Sequence, residues 1–202
     1  MLRNKHMPEK TATRALILEA VVTCIEKYGA EKVTTRKIAQ EAGTNIASIN
    51  YHFRSKNELM QEALSMTMKH MLEDVFVAID DTSRSFEAAL NAVFFYLLSG
   101  SVLFPGITRA HLYRAVMERD RDSLSSQAMN RVFDGLCRRA ASEYPSRDPG
   151  ELRVLISQMM SSILFSMLAP EFFPVPRQYR LTSARHAQTL ADSYTQQFKA
   201  LV

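Results

Sequence analysis

A short polar segment in the first quarter of the chain carries side chains suited to nucleic-acid chemistry. Its uncharged hydrogen-bonding residues are Thr44, Asn45, Ser48, Asn50, Tyr51 and His52. Two cations, Arg54 and Lys56, follow immediately. Amides and hydroxyls can read the edges of bases, while cations and tyrosine hydroxyls can bind phosphate oxygens. The segment therefore has the composition of a surface that reads DNA.

The positive charge of the chain is concentrated around this segment. The whole chain has a formal net charge of +4. Residues 1–57 hold ten Lys and Arg against five Glu, a net of +5, which leaves −1 for the remaining residues. A basic end is typical of a protein that binds a polyanion, although a solvated basic face has the same composition.

Two short helices are predicted to position the polar side chains. Thr34 is placed to cap the first helix, and Gly43 ends it after two turns. Asn45 is placed to cap the second, which covers about residues 46–52, and this role ranks above a DNA contact because Asn is among the best N-caps. Two short helices joined by a tight glycine-bearing turn indicate a helix-turn-helix, whose second helix enters the major groove.

Longer helices are predicted on both sides of this unit. Before it, apolar residues at spacings of three and four form one stripe of a helix that Gly29 ends. The stripe consists of Leu16, Ile17, Ala20, Val21, Cys24, Ile25 and Tyr28. After it, Ser55 and Glu58 form a capping box in which each side chain is expected to accept from the other's backbone amide.

Helical periodicity continues to the end of the chain, and strand signals are nearly absent. Beyond the long helix that starts at Ser55, helices are predicted over about residues 86–98, 105–118, 123–143, 149–169 and 182–201. The prediction is an all-α fold of about nine helices. It has a helix-turn-helix domain over residues 1–57 and a helical domain over residues 58–202.

The sequence gives no indication of catalysis, of a cofactor or of a metal site. It contains no glycine-rich phosphate loop, no nucleophile motif and no cluster with metal-ligand spacing. Cys24 and Cys137 lie far apart and are interpreted as reduced packing residues of a cytoplasmic protein. The densest apolar patch, Val93–Leu98, is shorter than a membrane helix, and Met1–Lys10 has no apolar export signal, so no membrane partner is expected.

The order of these elements over about residues 10–60 resembles the DNA-binding domain of the tetracycline-repressor (TetR) family. The resemblance is carried by Tyr28-Gly29-Ala30, Val33–Ala39, Ala42-Gly43 and Ala47–Leu59. It implies a homodimer that binds double-stranded operator DNA. The hypothesis is a repressor that loses DNA affinity when a small-molecule effector occupies its helical core. The alternative is a DNA-binding dimer without a ligand.

The resemblance also implies DNA contacts position by position. Thr35 and Lys56 match phosphate-binding positions, and Thr44, Asn45 and Ala47 match positions around the start of the recognition helix. Tyr51 and His52 match groups that meet the DNA backbone or base edges. With the polar residues of the recognition helix, the candidate DNA-binding set is Thr35, Thr44, Asn45, Ala47, Ser48, Asn50, Tyr51, His52 and Lys56.

One position departs from the family pattern. Many members have Tyr where this chain has Asn50, so the phosphate contact of that Tyr does not transfer. An Asn can bind adenine through two hydrogen bonds, contact a phosphate or help to set the helix. The residues leave these three roles open.

The helix predicted over about residues 149–169 is apolar over a wide arc that also carries serines. With the final helix it is predicted to form half of a four-helix dimer interface, and the alternative is an internal core helix. Aromatic and Met residues of the intermediate helices could line an effector pocket or simply form the core. Polar candidates for gripping an effector, with a salt-bridged surface as the alternative, are His70, Arg109, His111, Tyr113 and Arg114. No effector-binding residue is selected from them.

Overall fold

The structure is a computed structural model that describes residues 9–117, 119–172 and 180–202. The described residues contain nine α-helices and no strand, which confirms the predicted all-α fold. The helices are α1 (Glu9–Tyr28), α2 (Thr35–Glu41), α3 (Ile46–His52), α4 (Lys56–Asp80), α5 (Phe86–Leu103), α6 (Pro105–Met117), α7 (Leu124–Glu143), α8 (Pro149–Leu168) and α9 (Ala184–Leu201). A single 3-10 turn, Ala30–Lys32, lies between α1 and α2.

The chain forms two compact units, Met1–Thr67 and Met68–Val202, and the change from one to the other falls inside α4. The first turns of α4 belong to the first unit, where Leu59 and Ala63 are fully buried. The sequence pattern puts a domain boundary at the capping box, after residue 57. That division stays a prediction.

The first unit is built on one buried face of α1, which packs against the 3-10 turn and α2. Most of the predicted stripe is buried, namely Ile17, Ala20, Val21, Cys24 and Ile25. The prediction is wrong at the edges of the stripe, because Leu16 and Tyr28 are exposed. The Tyr28 ring is covered by the Lys37 ammonium, 4.1 Å from its centroid, and not by the core. Gly29 ends α1 with a φ of 77°, a conformation that glycine adopts without strain.

The core of the second unit is centred on α5, against which α9 makes the most extensive contact. The buried residues of α5 include Phe86, Leu90, Val93, Phe94, Leu97 and Leu98. From α9, the Phe198 ring packs 4.9 Å from that of Phe86, measured between centroids. α8 packs mainly against α7. The long apolar helices therefore meet at a single core.

α5 is longer than the sequence predicts, because it continues through Gly100 to Leu103. A glycine inside a helix costs only about 1 kcal/mol relative to alanine, and the packing of α5 outweighs that cost. The helix ends where Pro105 forbids the helical conformation of Phe104, whose φ is −131°. Pro105 then occupies the first turn of α6, as predicted.

Two helices of the second unit are long and apolar enough to cross a membrane by length and composition. Over 18-residue windows, α5 has a mean hydropathy of 1.5 and α8 of 1.2. No continuous apolar run is this long, because polar residues such as Asn91 interrupt the helices while their mean hydropathy stays high. The expected absence of a membrane partner stays a prediction. A buried core helix passes the same test, and α5 contributes eight buried residues to the core.

Charged side chains of α7 fix the connection between α4 and α5. The Arg139 guanidinium donates to the backbone oxygens of Ile79 at 2.7 Å and of Asp81 at 3.1 Å. One turn later, the Glu143 carboxylate accepts from the backbone N–H of Phe86 at 2.8 Å. The last carbonyls of α4 and the first amide of α5 are thereby satisfied by one neighbouring helix.

Candidate nucleic-acid interface

The ends of α2 and α3 are defined by the caps that the sequence predicts. The Thr34 hydroxyl accepts from the backbone N–H of Lys37 at 3.3 Å. The Asn45 Oδ1 accepts from the backbone N–H of Ser48 at 2.8 Å, which confirms its capping role. Between the helices, Gly43 has a φ of 62°, the left-handed conformation that lets the chain turn within a few residues. Local hydrogen bonds therefore fix where α3 begins.

α3 divides into a buried and an exposed face. Ile49 is buried and holds the helix on the first unit. Four residues on the opposite side are exposed and form what we call the α3 outer face: Ile46, Ala47, Asn50 and Tyr51. These positions fall on one arc because an α-helix has 3.6 residues per turn. Tyr51 has 70% of its surface exposed.

The structure sorts the predicted site residues by accessibility. Asn45 and Lys56 are exposed, as are the three predicted residues of the α3 outer face. Four others are half-buried: Thr35, Thr44, Ser48 and His52. The His52 ring stands edge-on to the Tyr51 ring, with 5.1 Å between centroids, so it borders the outer face.

Sequence reasoning overlooked Ile46, which is 46% exposed on the outer face. An apolar residue at the start of a helix is ordinarily assigned to the core, and for this reason Ile46 was not predicted to be exposed. The available signal was spacing, because Ile46 lies four residues before Asn50 and so on the same side of the helix.

The N-terminus of α4 lies directly after α3 in the chain and presents an exposed lysine. The Ser55 hydroxyl accepts from the backbone N–H of Glu58 at 3.1 Å. The return bond differs from the prediction, because the Glu58 carboxylate accepts from the amide of Arg54 at 2.8 Å and not from that of Ser55. The carboxylate reaches one residue further back along the chain. Lys56, the first residue of α4, is exposed at the positive end of the helix, which favours a bound phosphate.

Several cations of the first unit are engaged within the protein. The Lys27 ammonium pairs with Glu41 at 2.7 Å, and this hydrogen bond raises the pKa of Lys27. The Lys37 ammonium donates to the backbone oxygen of Lys32 at 2.9 Å. Arg14 pairs with Glu62.

Four other cations of the first unit have no carboxylate partner among the residues that the structure describes. They are Lys32, Arg36, Arg54 and Lys56. These four side chains remain available to an anion.

The second unit contains a cavity of about 70 Å³ between residues of α5, α6 and α8 and the segment before α9. Its lining includes Ser101, Arg109, Met167 and Leu181. Of the candidate effector-binding residues, Arg109 lines this cavity. His70 and Tyr113 are exposed, and the side chain of Arg114 lies outside the described part of the structure.

His111 is partly buried, and burial lowers its pKa from 6.5 to about 4. It is therefore neutral in the folded protein near pH 7. Within the described residues, no three His, Cys, Asp or Glu side chains are grouped to hold a metal ion.

The described helices form an all-α fold in which α2, the turn at Gly43 and α3 make a helix-turn-helix. The family model for bacterial regulatory proteins of the tetR family matches residues 17–63, which include α2, α3 and the start of α4. This segment of the chain therefore matches the DNA-binding domain of TetR-family transcriptional regulators, and the described helices have the fold of solved TetR regulators.

Solved structures share the whole fold at low sequence identity. A TetR transcription regulator from Haloarcula marismortui superposes with a TM-score of 0.70 at 16% identity, covering 94% of this chain and 98% of that one. A TetR-family regulator from Mesorhizobium loti gives 0.68 at 16% identity, covering 96% and 98%. These similarities extend the resemblance beyond the DNA-binding domain to the fold of the second unit.

A curated relative, the nucleoid occlusion factor SlmA of Vibrio campbellii, is 28% identical over 163 residues, which cover 77% of this chain and 82% of the relative. The protein of the same name from Aliivibrio fischeri is 30% identical over 135 residues, covering 63% and 64%. The matching family model and these relatives point to no enzyme family.

Proposed function

We propose that this chain is a homodimeric repressor that inserts α3 into the major groove of its operator. The observation that carries the proposal is the exposed α3 outer face, with its carboxamide and phenol, followed in the chain by two cations, Arg54 and Lys56, that have no carboxylate partner among the described residues. Base edges are contacted from a recognition helix, and phosphates from flanking residues. The repressor would act in the cytoplasm, where it meets the operator.

The predicted site residues divide into two roles in this proposal. Lys56 and Thr35 begin helices, so their side chains bind phosphates beside positive helix ends. Tyr51, which is 70% exposed, also binds the DNA backbone through its hydroxyl. The residues proposed to meet bases or the backbone around the recognition helix are Thr44, Asn45, Ala47, Ser48, Asn50 and His52.

The face of α8 that the described residues leave exposed supports the dimer. Although α8 is strongly apolar, Val154 is 57% exposed and Phe165 is 40% exposed, and exposed serines lie between them. α9 buries much of its apolar stripe, including Ala187 and Ala191, so α8 supplies more of the apolar surface of the proposed interface. Two-fold symmetry would separate the two recognition helices by about 34–36 Å, the spacing of successive major grooves.

The repressor is proposed to release DNA when a small molecule binds the second unit. An effector changes DNA affinity only through its different affinity for two arrangements of the dimer. Arg109 in the small cavity would hold an anionic or hydrogen-bonding group of that molecule.

A second candidate function is a DNA-bound factor without a small-molecule ligand. The cavity of about 70 Å³ is well below the roughly 300–1,000 Å³ of typical ligand pockets. The curated relatives are named nucleoid occlusion factors and not ligand-responsive repressors. Both observations favour this second candidate over effector release, and both candidates share the DNA-binding step.

The shared step is tested by selecting duplexes from random DNA with the full-length protein and measuring their affinity by fluorescence anisotropy. We expect selected duplexes to bind at least about a thousandfold more tightly than scrambled ones. Equal affinity for both would overturn sequence-specific regulation.

Effector release is tested by screening small carboxylates and apolar compounds against the protein–DNA complex. The effector proposal requires a compound that lowers DNA affinity in the parent protein and has a weaker effect on Arg109→Ala. A screen without such a compound, while DNA affinity stays intact, would favour the ligand-free candidate.

A further inference from the structure

The α3 outer face contains no cation. The commonest specific protein contact to guanine is an Arg or Lys side chain on its O6 and N7 atoms. None of Ile46, Ala47, Asn50 and Tyr51 can make this contact, and the cations without described carboxylate partners lie outside α3. The part of the helix that faces away from the protein therefore lacks the usual reader of G·C pairs.

The outer face does contain an available carboxamide. Asn50 is exposed, and its side chain makes no hydrogen bond to another described residue. Asn45 differs, because its Oδ1 already accepts from the Ser48 amide as a cap. Asn50 thus retains one acceptor and one donor group side by side, and adenine offers the complementary N6 donor and N7 acceptor in the major groove.

Apolar side chains lie one helical turn before this carboxamide. Ile46 precedes Asn50 by four residues and Ala47 precedes it by three, and both are exposed. In the major groove the apolar group that distinguishes one base is the C5 methyl of thymine. Because positions three and four residues apart share a helix face, these side chains and the carboxamide can meet the same short stretch of base pairs.

We propose that the α3 outer face reads A·T pairs. Asn50 donates to N7 and accepts from N6 of an adenine, and Ile46 and Ala47 contact thymine methyl groups. This inference rests on the proposed function, in which α3 enters the major groove. It adds that the base pairs facing α3 in that groove are A·T pairs.

The carboxamide contact is tested by binding-site selection with the full-length parent protein and with Asn50→Ala. The parent is expected to select an A·T pair at one fixed position in each half-site and to lose about tenfold in affinity when that pair becomes G·C. Asn50→Ala is expected to lose this preference at that position alone. Asn57→Ala is the matched control, because Asn57 is exposed on α4 and not on α3.

The methyl contact is tested by replacing single thymines of the selected duplex with uracil, which removes only the methyl group. A contacted methyl is expected to contribute about fourfold in affinity, the value of one buried methyl-sized group. Ile46→Ala should reduce this uracil effect. Val77→Ala, which shortens a β-branched residue that is 73% exposed on α4, should leave it unchanged.

The outcomes separate this inference from the function on which it rests. A parent protein that selects no sequence overturns the proposed function. A parent that selects a specific site but prefers G·C opposite α3, or binds uracil and thymine duplexes equally, overturns the A·T inference alone. An unchanged preference in Asn50→Ala likewise overturns the role of that carboxamide.

Discussion

α3 and α8 each leave a helical face uncovered in the described chain, but the two faces have different chemistry. α3 has seven residues and buries one of them, Ile49. α8 has twenty residues and buries five, and its exposed side combines serines with apolar residues such as Val154. The α3 outer face instead presents a carboxamide and a phenol, with cations near it in sequence.

The hydroxyl groups of α8 show what separates the two faces. Ser161 donates to the backbone oxygen of Ser157 at 2.8 Å, and Ser157 and Ser166 donate to carbonyls of the same helix in the same way. These small side chains are satisfied within their own helix, so they need no external partner and allow a second helix to approach closely. The Asn50 carboxamide has no such bond among the described residues. One face is suited to protein packing, and the other to hydrogen bonding with a base.

The largest expected effect comes from placing a charge on the α8 face. In a two-fold interface, Ser161→Arg would bring two guanidinium groups into the contact, and like charges there cost several kcal/mol. We expect dimer association, measured by sedimentation, to weaken by about a hundredfold, with loss of operator binding. Ser65→Arg is the control, because Ser65 is exposed on α4. An intact Ser161→Arg dimer would show that α8 is not the packing face.

Acid is expected to destabilise the unit that carries α8. Because burial lowers the pKa of His111 from 6.5 to about 4, the unfolded chain binds a proton more readily than the folded one between these values. The stabilisation is therefore complete above pH 6.5 and is lost as the pH falls towards 4. We expect the free energy of unfolding to fall by about 3 kcal/mol across this range, measured by urea denaturation.

The matched variants isolate this histidine from the carboxylates that also titrate in acid. His111→Gln should flatten the change in stability between pH 6.5 and 4, whereas His70→Gln, at an exposed position, should leave it as in the parent. Equal pH dependence in the parent and both variants would contradict the role of His111.

Features fixed by neighbours in the sequence were predictable. The caps at Thr34 and Asn45 and the turn at Gly43 depend on bonds and backbone angles within three or four residues, and the structure confirms all three. The candidate site followed from these local signals and the family resemblance. The bounds of α3 were therefore predicted correctly before any tertiary contact was known.

Features decided by distant packing were not predictable from the pattern. α5 passes through Gly100 because a core formed with α9 outweighs the helix preference of one residue. Leu16 is apolar but exposed, and only the packing of its neighbours determines that. A capping-box pattern also does not show which backbone amide the Glu58 carboxylate accepts from. In the structure it accepts from the amide of Arg54 and not from that of Ser55.

The role of Asn45 at the start of α3 can be separated by two substitutions. Asn45→Ala removes the acceptor for the Ser48 amide and is expected to lower the free energy of unfolding by about 1 kcal/mol. Asn45→Ser keeps a capping hydroxyl and should restore most of that stability. Anisotropy measurements on the same variants then test DNA binding. Restored stability without restored DNA affinity would show that Asn45 contacts DNA in addition to capping the helix.

The smallest expected effect separates phosphate binding from base reading on the α3 side of the comparison. Lys56→Ala should weaken binding to every duplex by a similar factor, because a phosphate contact carries no sequence information. The slope of log affinity against log salt should fall by about one for each subunit. Lys27→Ala is the control, since the Lys27 ammonium is already paired with Glu41. A change in base preference in Lys56→Ala would mean that the lysine contacts a base. Flanking cations would then read bases as well as bind phosphates, which contradicts the assignment of base reading to the uncharged α3 outer face.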